Sequence, residues 1–222
     1  MLTPLIDPVI STFINKFPST LADLVEQYGS PLNVVWPHAF EMNTQALLTV
    51  LKQYNVAHAL FYGAKANKSQ SMLGAAANSA IGVDVSSIHE LHAALRAGVS
   101  GTKICATGPA KTAVFHQALI SAGSLICVDS LEEFDHLHDA LATQEAPTKA
   151  RVLLRYRPKS SQNSRFGVGS QDLLQCLQRL AENRSFFILK VSISTSAAMD
   201  SNLVRKPFVR SPDSSRLPGK WA

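Results

Sequence analysis

Residues 59–95 read ALFYGAKANKSQSMLGAAANSAIGVDVSSIHELHAAL, and the fold is decided by how this stretch divides. The apolar run Ala59-Leu60-Phe61-Tyr62 has strand length and is followed by a helical stretch near 69–79. Ile81 to Val85 is a second apolar run, and the helix after it carries Ile88, Leu91 and Leu95 at i, i+3 and i+7. Strand, helix, strand, helix at this spacing calls for parallel pairing, because each crossover must carry the chain back to the starting edge.

The pattern repeats toward the C-terminus. Lys103 to Ala106 reads as a strand, followed by a helix using Phe115, Ala118 and Leu119. Leu125 to Val128 precedes a helix using Leu131, Phe134 and Leu137. Arg151 to Tyr156 precedes one using Leu173, Leu177 and Leu180, and Phe186 to Leu189 closes the series. Toward the N-terminus, Ser19 or Thr20 is placed to cap a helix ending at Tyr28 and Gly29. Leu32 to Trp36 reads as a short strand, and a helix near 38–54 presents Phe40, Leu47, Leu48 and Leu51. The α/β class follows. A doubly wound sheet and a (β/α)8 barrel both fit; no strand is followed by GxGxxG, and six strands leave a barrel two short.

The chain has 222 residues, 46% of them hydrophobic, enough for one core-bearing domain. No apolar run reaches spanning length, so no membrane partner is expected. MLTPLIDPVI lacks the basic start of a secretory signal, and three well-spaced cysteines read as reduced core thiols; the expected location is the cytoplasm. The net charge of +5 is uneven: residues 191–222 hold five Lys/Arg, two Asp and seven Ser. Without a basic stripe in the body, nucleic acid is not an expected partner. His89 and His92 share a helix face without a matching carboxylate cluster, so no metal is expected.

In barrels, chemistry gathers at the carboxyl ends of the strands. Lys65 stands directly beyond the first strand, where a partly desolvated amine can act as a Schiff-base nucleophile, although a loop lysine reaching to water is the more ordinary outcome. Asp84 ends the second strand and reads equally as an anchor or a turn residue. Glu90 and Glu133 each close a capping box, Ser87-Ile88-His89-Glu90 and Ser130-Leu131-Glu132-Glu133; Glu133 is read as purely structural. Arg155, inside an apolar strand, requires an acidic partner or a ligand.

YGSPLNVVW, FYGAKANKS, IGVDVSSIHELHAAL, ATGPAKT, ICVDSLEEF, LLRYRP and SRFGV follow one another in order. Together, over roughly residues 28–190, they resemble the N-terminal barrel domain of fold-type III pyridoxal-phosphate decarboxylases, the diaminopimelate/ornithine decarboxylase group. The resemblance implies an incomplete (β/α)8 TIM-type barrel of the alanine racemase-like kind, about six β/α units over residues 31–190 behind a helical lead-in at 1–30. It implies pyridoxal 5'-phosphate as cofactor, carried by Lys65, with Asp84, Glu90 and Arg155 around it. It also implies a small amino-acid substrate and, for full-length members, a homodimer. Arg165 stands where the family commonly has Lys, and Lys159–Asn163 replace a Gly-rich stretch, so no particular amino acid is assigned. The family's ring-stacking histidine, Gly-rich phosphate loop, pyridine-nitrogen glutamate and C-terminal β domain have no counterpart in these 222 residues. The chain as written is therefore expected to be inactive alone; the alternative is a non-catalytic fragment that binds the cofactor or pairs with a full-length relative.

Residues 191–222 lose all periodicity and read as a disordered tail. Read one base out of frame from Lys190, with permitted synonymous codons, the same stretch spells a continuation containing HFHL, resembling the family's next strand and its histidine. Met199-Asp200 forces a glycine in that frame whatever codons are chosen. A one-nucleotide slip near Lys190 is the expected origin of the tail. Sequencing the coding DNA checks it: restoring one base should open a frame through HFHL into a β domain, and a frame lacking that segment refutes the slip.

Overall fold

A computed structural model describes residues 8–142, 149–159 and 163–194, with side chains described up to residue 189. Helices α1 (Pro8–Lys16), α2 (Thr20–Tyr28) and α3 (Pro37–Gln53) lead in. Then come β1 (Phe61–Gly63), α4 (Gln70–Asn78), β2 (Gly82–Val85), α5 (Ile88–Arg96) and β3 (Ile104–Ala106). The series continues through α6 (Ala113–Ser121), β4 (Leu125–Val128), α7 (Leu131–Ala142), β5 (Ala150–Tyr156), α8 (Ser170–Glu182) and β6 (Phe187–Ser194).

The six strands among the described residues are all parallel and stand in chain order, β1-β2-β3-β4-β5-β6. A doubly wound sheet reverses its strand order at a switch point; this one never does, which is the order of a barrel. The register is unbroken: Gly63 pairs with Asp84, Asp84 with Cys105, Cys105 with Leu125, and Leu125 with Arg151.

Side chains alternate across these strands. Val83, Val85, Ile104, Ala106, Ile126, Val128, Val152 and Leu154 pack with Leu91, Leu119, Phe134 and Leu137 of the helices in the main core. Full burial of each such leucine contributes about 1.5–3 kcal/mol. The alternate positions Cys105, Leu125, Cys127 and Leu153 form a second, smaller cluster with Phe61 on the helix-free face, the lumen side of the barrel. The three cysteines are free and buried, as expected of core thiols. No helix among the described residues is long and apolar enough to cross a membrane.

The structure departs from the sequence reading at the two ends. Leu32–Trp36 forms no strand; an apolar run is a strand only when a neighbour accepts its backbone, and here Trp36 instead packs edge-on against Phe13 of α1, a helix the periodicity reading passed over. Ser19 holds the N-cap position of α2 without making a side-chain cap. β6 runs to Ser194 rather than ending at 189, with a ladder irregularity opposite Val152–Leu154. The expected tail therefore does not begin at 191; its remaining residues, 195–222, lie outside the described residues, as do 1–7.

Close strand approach is enforced at Gly82, where an added Cβ would lie 2.4 Å from the Lys103 carbonyl oxygen. At Gly74, inside α4, a Cβ would meet nothing within 4 Å. Gly82→Ala is expected to destabilise by about 1–3 kcal/mol through overpacking, and Gly74→Ala to stabilise by about 0.5–1 kcal/mol. Urea unfolding of both variants checks the opposite signs.

Candidate functional site

The loop after β1 is pinned at both ends. Ala64 donates its amide to the Asp84 carbonyl at 2.9 Å, Ala66 donates to the Gly63 carbonyl at 3.1 Å, and the Tyr62 hydroxyl donates to the Asn67 carbonyl at 2.6 Å. Asn67 Oδ1 accepts the Ser69 amide at 2.9 Å and so sets the entry to α4. Lys65 sits on this loop with an exposed side chain and, among the described residues, makes no hydrogen bond or ion pair. The lysine thus projects from a fixed backbone at the carboxyl end of β1 rather than being buried there.

Asp84 occupies the neighbouring strand end, directly opposite Gly63. Its Oδ2 accepts from the Thr107 hydroxyl at 2.9 Å. Its Oδ1 is buried and has no partner among the described residues. Burial pushes this carboxyl above its ordinary range; the Thr107 hydrogen bond opposes the shift, and the nearby charge of Glu90 adds to it. Glu90 caps α5 in a variant of its box: its amide donates to Ser87 Oγ at 3.2 Å, and its Oε2 accepts the amide of Ser86, one residue before the N-cap, at 2.7 Å.

Arg155 has the acidic partner its strand position demanded. Its guanidinium donates to Asp129 Oδ1 at 3.0 Å and lies 4.6 Å from the centre of the Phe166 ring. Asp129, beyond the end of β4, is 5% exposed and was not among the residues singled out in the sequence. Strand alternation places Asp84, Asp129 and Arg155 on the parity of Cys105, Cys127 and Leu153, the lumen face.

Glu133, read as a cap alone, does more. It closes the box with Ser130 at 3.1 Å and accepts the Asp129 amide at 2.8 Å. Its Oε1 also receives the Lys111 ammonium at 2.6 Å and stands 3.2 Å from His116 Nε2. Burial alone would raise this carboxyl; the hydrogen bonds from His116, Lys111 and the Asp129 amide, with the Lys111 charge, more than offset that and hold it below the ordinary range. Its stabilisation is present above the unfolded carboxyl value of about 4.3 and is lost as pH falls through the folded one. Lys111 was likewise missed: ATGPAKT contains it, but nothing in loop sequence alone distinguishes a buried lysine from a solvated one.

The class defined by this arrangement is a parallel β/α barrel domain with a lysine and acidic and basic groups at the carboxyl ends of its strands. Residues 41–201 match the family model for the pyridoxal-dependent decarboxylase pyridoxal-binding domain, and the chain belongs to that family, whose cofactor is pyridoxal phosphate. It is 43% identical over 180 residues to an uncharacterized protein of Sinorhizobium fredii, covering 81% of this chain and 39% of that protein. It is 32% identical over 139 residues to the diaminopimelate decarboxylase of Vibrio cholerae, covering 62% of this chain and 32% of the relative. Among solved structures, diaminopimelate decarboxylase of M. jannaschii in complex with L-lysine superposes with a TM-score of 0.69 at 21% identity, over 78% of this chain and 44% of that one. Lysine/ornithine decarboxylase of Vibrio vulnificus complexed with putrescine gives a TM-score of 0.63 at 18% identity, over 78% and 44%. The chain thus spans less than half the length of these relatives, and the two solved structures speak for the fold.

The raised Asp84 carboxyl has a testable sign. A folded value above the unfolded one gives stability that is present at low pH and lost as pH rises through the folded value. Asp84→Asn removes that loss. The variant without cofactor is expected to be more resistant to urea than its parent at neutral pH, with the gap closing below about pH 4. An advantage that is absent at pH 7, or that grows toward acid, contradicts a raised Asp84 carboxyl.

Proposed function

We propose that this chain is the cofactor-carrying part of a decarboxylase acting on an amino acid with a second ionic group at its far end, of the diaminopimelate or ornithine kind. The proposal extends to the cytoplasmic location and homodimeric assembly expected of the family. One observation carries it: a lysine without a partner among the described residues, on a pinned loop, stands one strand away from a buried aspartate oxygen that is also without a partner. An orphaned buried carboxylate oxygen is costly, and a cationic or protonated ligand group beside it relieves that cost. The residues present therefore fit pyridoxal phosphate: Lys65 would hold it covalently, Asp84 and Glu90 would line its site, and Arg155 would support it from the β5 side. When bound, the cofactor supplies the electron sink for the pair left behind as carbon dioxide departs.

The chain's own residues bind and orient. The loop bonds of Ala64, Ala66 and Tyr62 fix where the Lys65 backbone points. Asp84 offers Oδ1 as an acceptor while Thr107 occupies Oδ2. Glu90 holds the Ser86 turn that follows Asp84. Arg155, neutralised by Asp129, keeps a cation beside the lumen at modest desolvation cost. The identity of the far ionic group rests on the relatives' substrates alone. We also propose that the 222 residues by themselves turn over little substrate, because they span less than half the length of the decarboxylases they match.

Borohydride reduction of the chain loaded with pyridoxal phosphate, followed by peptide mapping, tests the assignment. The label is expected on Lys65 and is expected to vanish in Lys65→Ala; a label on Lys68 with Lys65 bare ends it. A panel of diaminopimelate, lysine, ornithine and arginine should release little carbon dioxide from the purified chain, and robust turnover would refute the need for further elements.

A further inference from the structure

The two capping boxes form a natural comparison. In each, a serine accepts the glutamate amide, Ser87 at 3.2 Å and Ser130 at 3.1 Å. In each, the glutamate Oε2 accepts a backbone amide just after a strand, Ser86 at 2.7 Å and Asp129 at 2.8 Å. The Glu90 box is complete with that. The Glu133 box adds a second set of bonds: Oε1 receives Lys111 at 2.6 Å and stands 3.2 Å from His116. A cap does not require them, as Glu90 demonstrates.

Lys111 is unusual in its own right. Its side chain is 1% exposed, and its ammonium donates to the Gly108 carbonyl at 2.6 Å, the Cys127 carbonyl at 2.7 Å and Glu133. All three of its protons are used, so it is no reserve nucleophile. Burying such a pair is weak evidence for stability, because desolvation offsets much of the attraction. What the pair does is geometric. It ties the loop after β3, the last residues of β4 and the first turn of α7 to one carboxylate. That carboxylate grips the Asp129 amide, and Asp129 in turn grips Arg155 at 3.0 Å.

We infer that Lys111 and Glu133 are a positioning pair for Arg155, acting through Asp129. The inference rests on the reading above that Arg155 supports the cofactor. The pair touches neither cofactor nor substrate; it fixes the backbone from which the Asp129 carboxylate reaches across to β5.

The test uses the full 222-residue chain, the dissociation constant for pyridoxal phosphate, the circular dichroism of the bound cofactor, and the urea midpoint without it. Glu133→Gln keeps an acceptor oxygen but leaves the Lys111 charge unpaired. It should weaken cofactor binding about tenfold and alter the dichroic band. Asp129→Asn should do the same, and the double variant should be no weaker than the worse single, because both act along one path. Lys111→Met/Glu133→Gln removes both charges together. It should keep a urea midpoint near that of the unsubstituted chain, yet still bind the cofactor weakly, and it decides the matter if Glu133→Gln does not fold. A shifted urea midpoint with unchanged cofactor binding, effects that multiply in the double variant, or failure of the paired variant to fold would each overturn the inference. If the unsubstituted chain takes no label at Lys65, the functional reading falls and the inference with it. A labelled Lys65 with cofactor binding indifferent to Glu133 overturns the inference alone.

Discussion

An in-register parallel ladder is the constraint from which everything else in this molecule descends. Side chains on a strand alternate, so a slip of one residue would carry every lumen-facing group to the helix side. The row from Gly63 through Asp84, Cys105 and Leu125 to Arg151 has no slip in it. Asp84, Asp129 and Arg155 therefore come to one face although they are far apart in sequence and come from three different strands or strand ends. The one irregularity among the described strands lies in the β5–β6 ladder opposite Val152–Leu154, where the extra residue is in β6, so the alternation of β5 up to Arg155 is kept. Helices packed on the other face bury that side of the ladder in the main core, and that core is what maintains the register.

On that frame, the polar groups divide by how their burial is compensated. Glu133 is met by Lys111, His116 and an amide, and its carboxyl stays below the usual range. The Asp129 carboxylate is met by Arg155, while its own amide donates to Glu133. Asp84 has only Thr107 on one oxygen, and its carboxyl rises. Where surrounding groups satisfy a buried charge fully, the structure is self-sufficient; where they leave an oxygen orphaned, the folded chain carries an energetic deficit that a ligand can remove. Asp84 is such a place, beside Lys65. The thiols of Cys105 and Cys127 on the same face are pushed by burial to about 12 and about 11, which leaves them inert and makes the lumen wall apolar around the carboxylates.

The parts legible in the sequence were those written as periodicity. The helices containing Leu91, Leu119 and Leu137 stand where their spacing put them, and the strands before them follow from short apolar runs. Arg155 was legible as a charge requiring a partner, because a charged residue inside an apolar strand has few physical outcomes. The partner itself was not: Asp129 follows β4 and Asp84 lies next to the end of β2, and only the ladder tells which of them meets the arginine. Leu32–Trp36 misled because an apolar run records a preference for burial, and that preference was met by packing on α1 rather than by a ladder. At the other end, β6 persists to Ser194 because Leu154, Arg155 and Tyr156 supply backbone partners to residues whose own composition reads as a tail.

Lys65 and Lys111 show where sequence reasoning stops. Both lie just past a strand, in the similar strings Gly-Ala-Lys-Ala and Gly-Pro-Ala-Lys-Thr. Lys65 follows β1 by two residues, on a turn that Ala66 closes immediately, so its side chain leaves the sheet before anything can cover it. Lys111 follows β3 by five, after Gly108 at φ +101°. That left-handed glycine turns the chain back, so the ammonium lies beneath the Gly108 and Cys127 carbonyls. The longer loop thus makes a lysine with three protein acceptors and no chemistry left, and the shorter one a lysine with none among the described residues. Whether a lysine amine is exposed or bonded is in this chain a consequence of loop length beyond the strand, a quantity that residue type does not record.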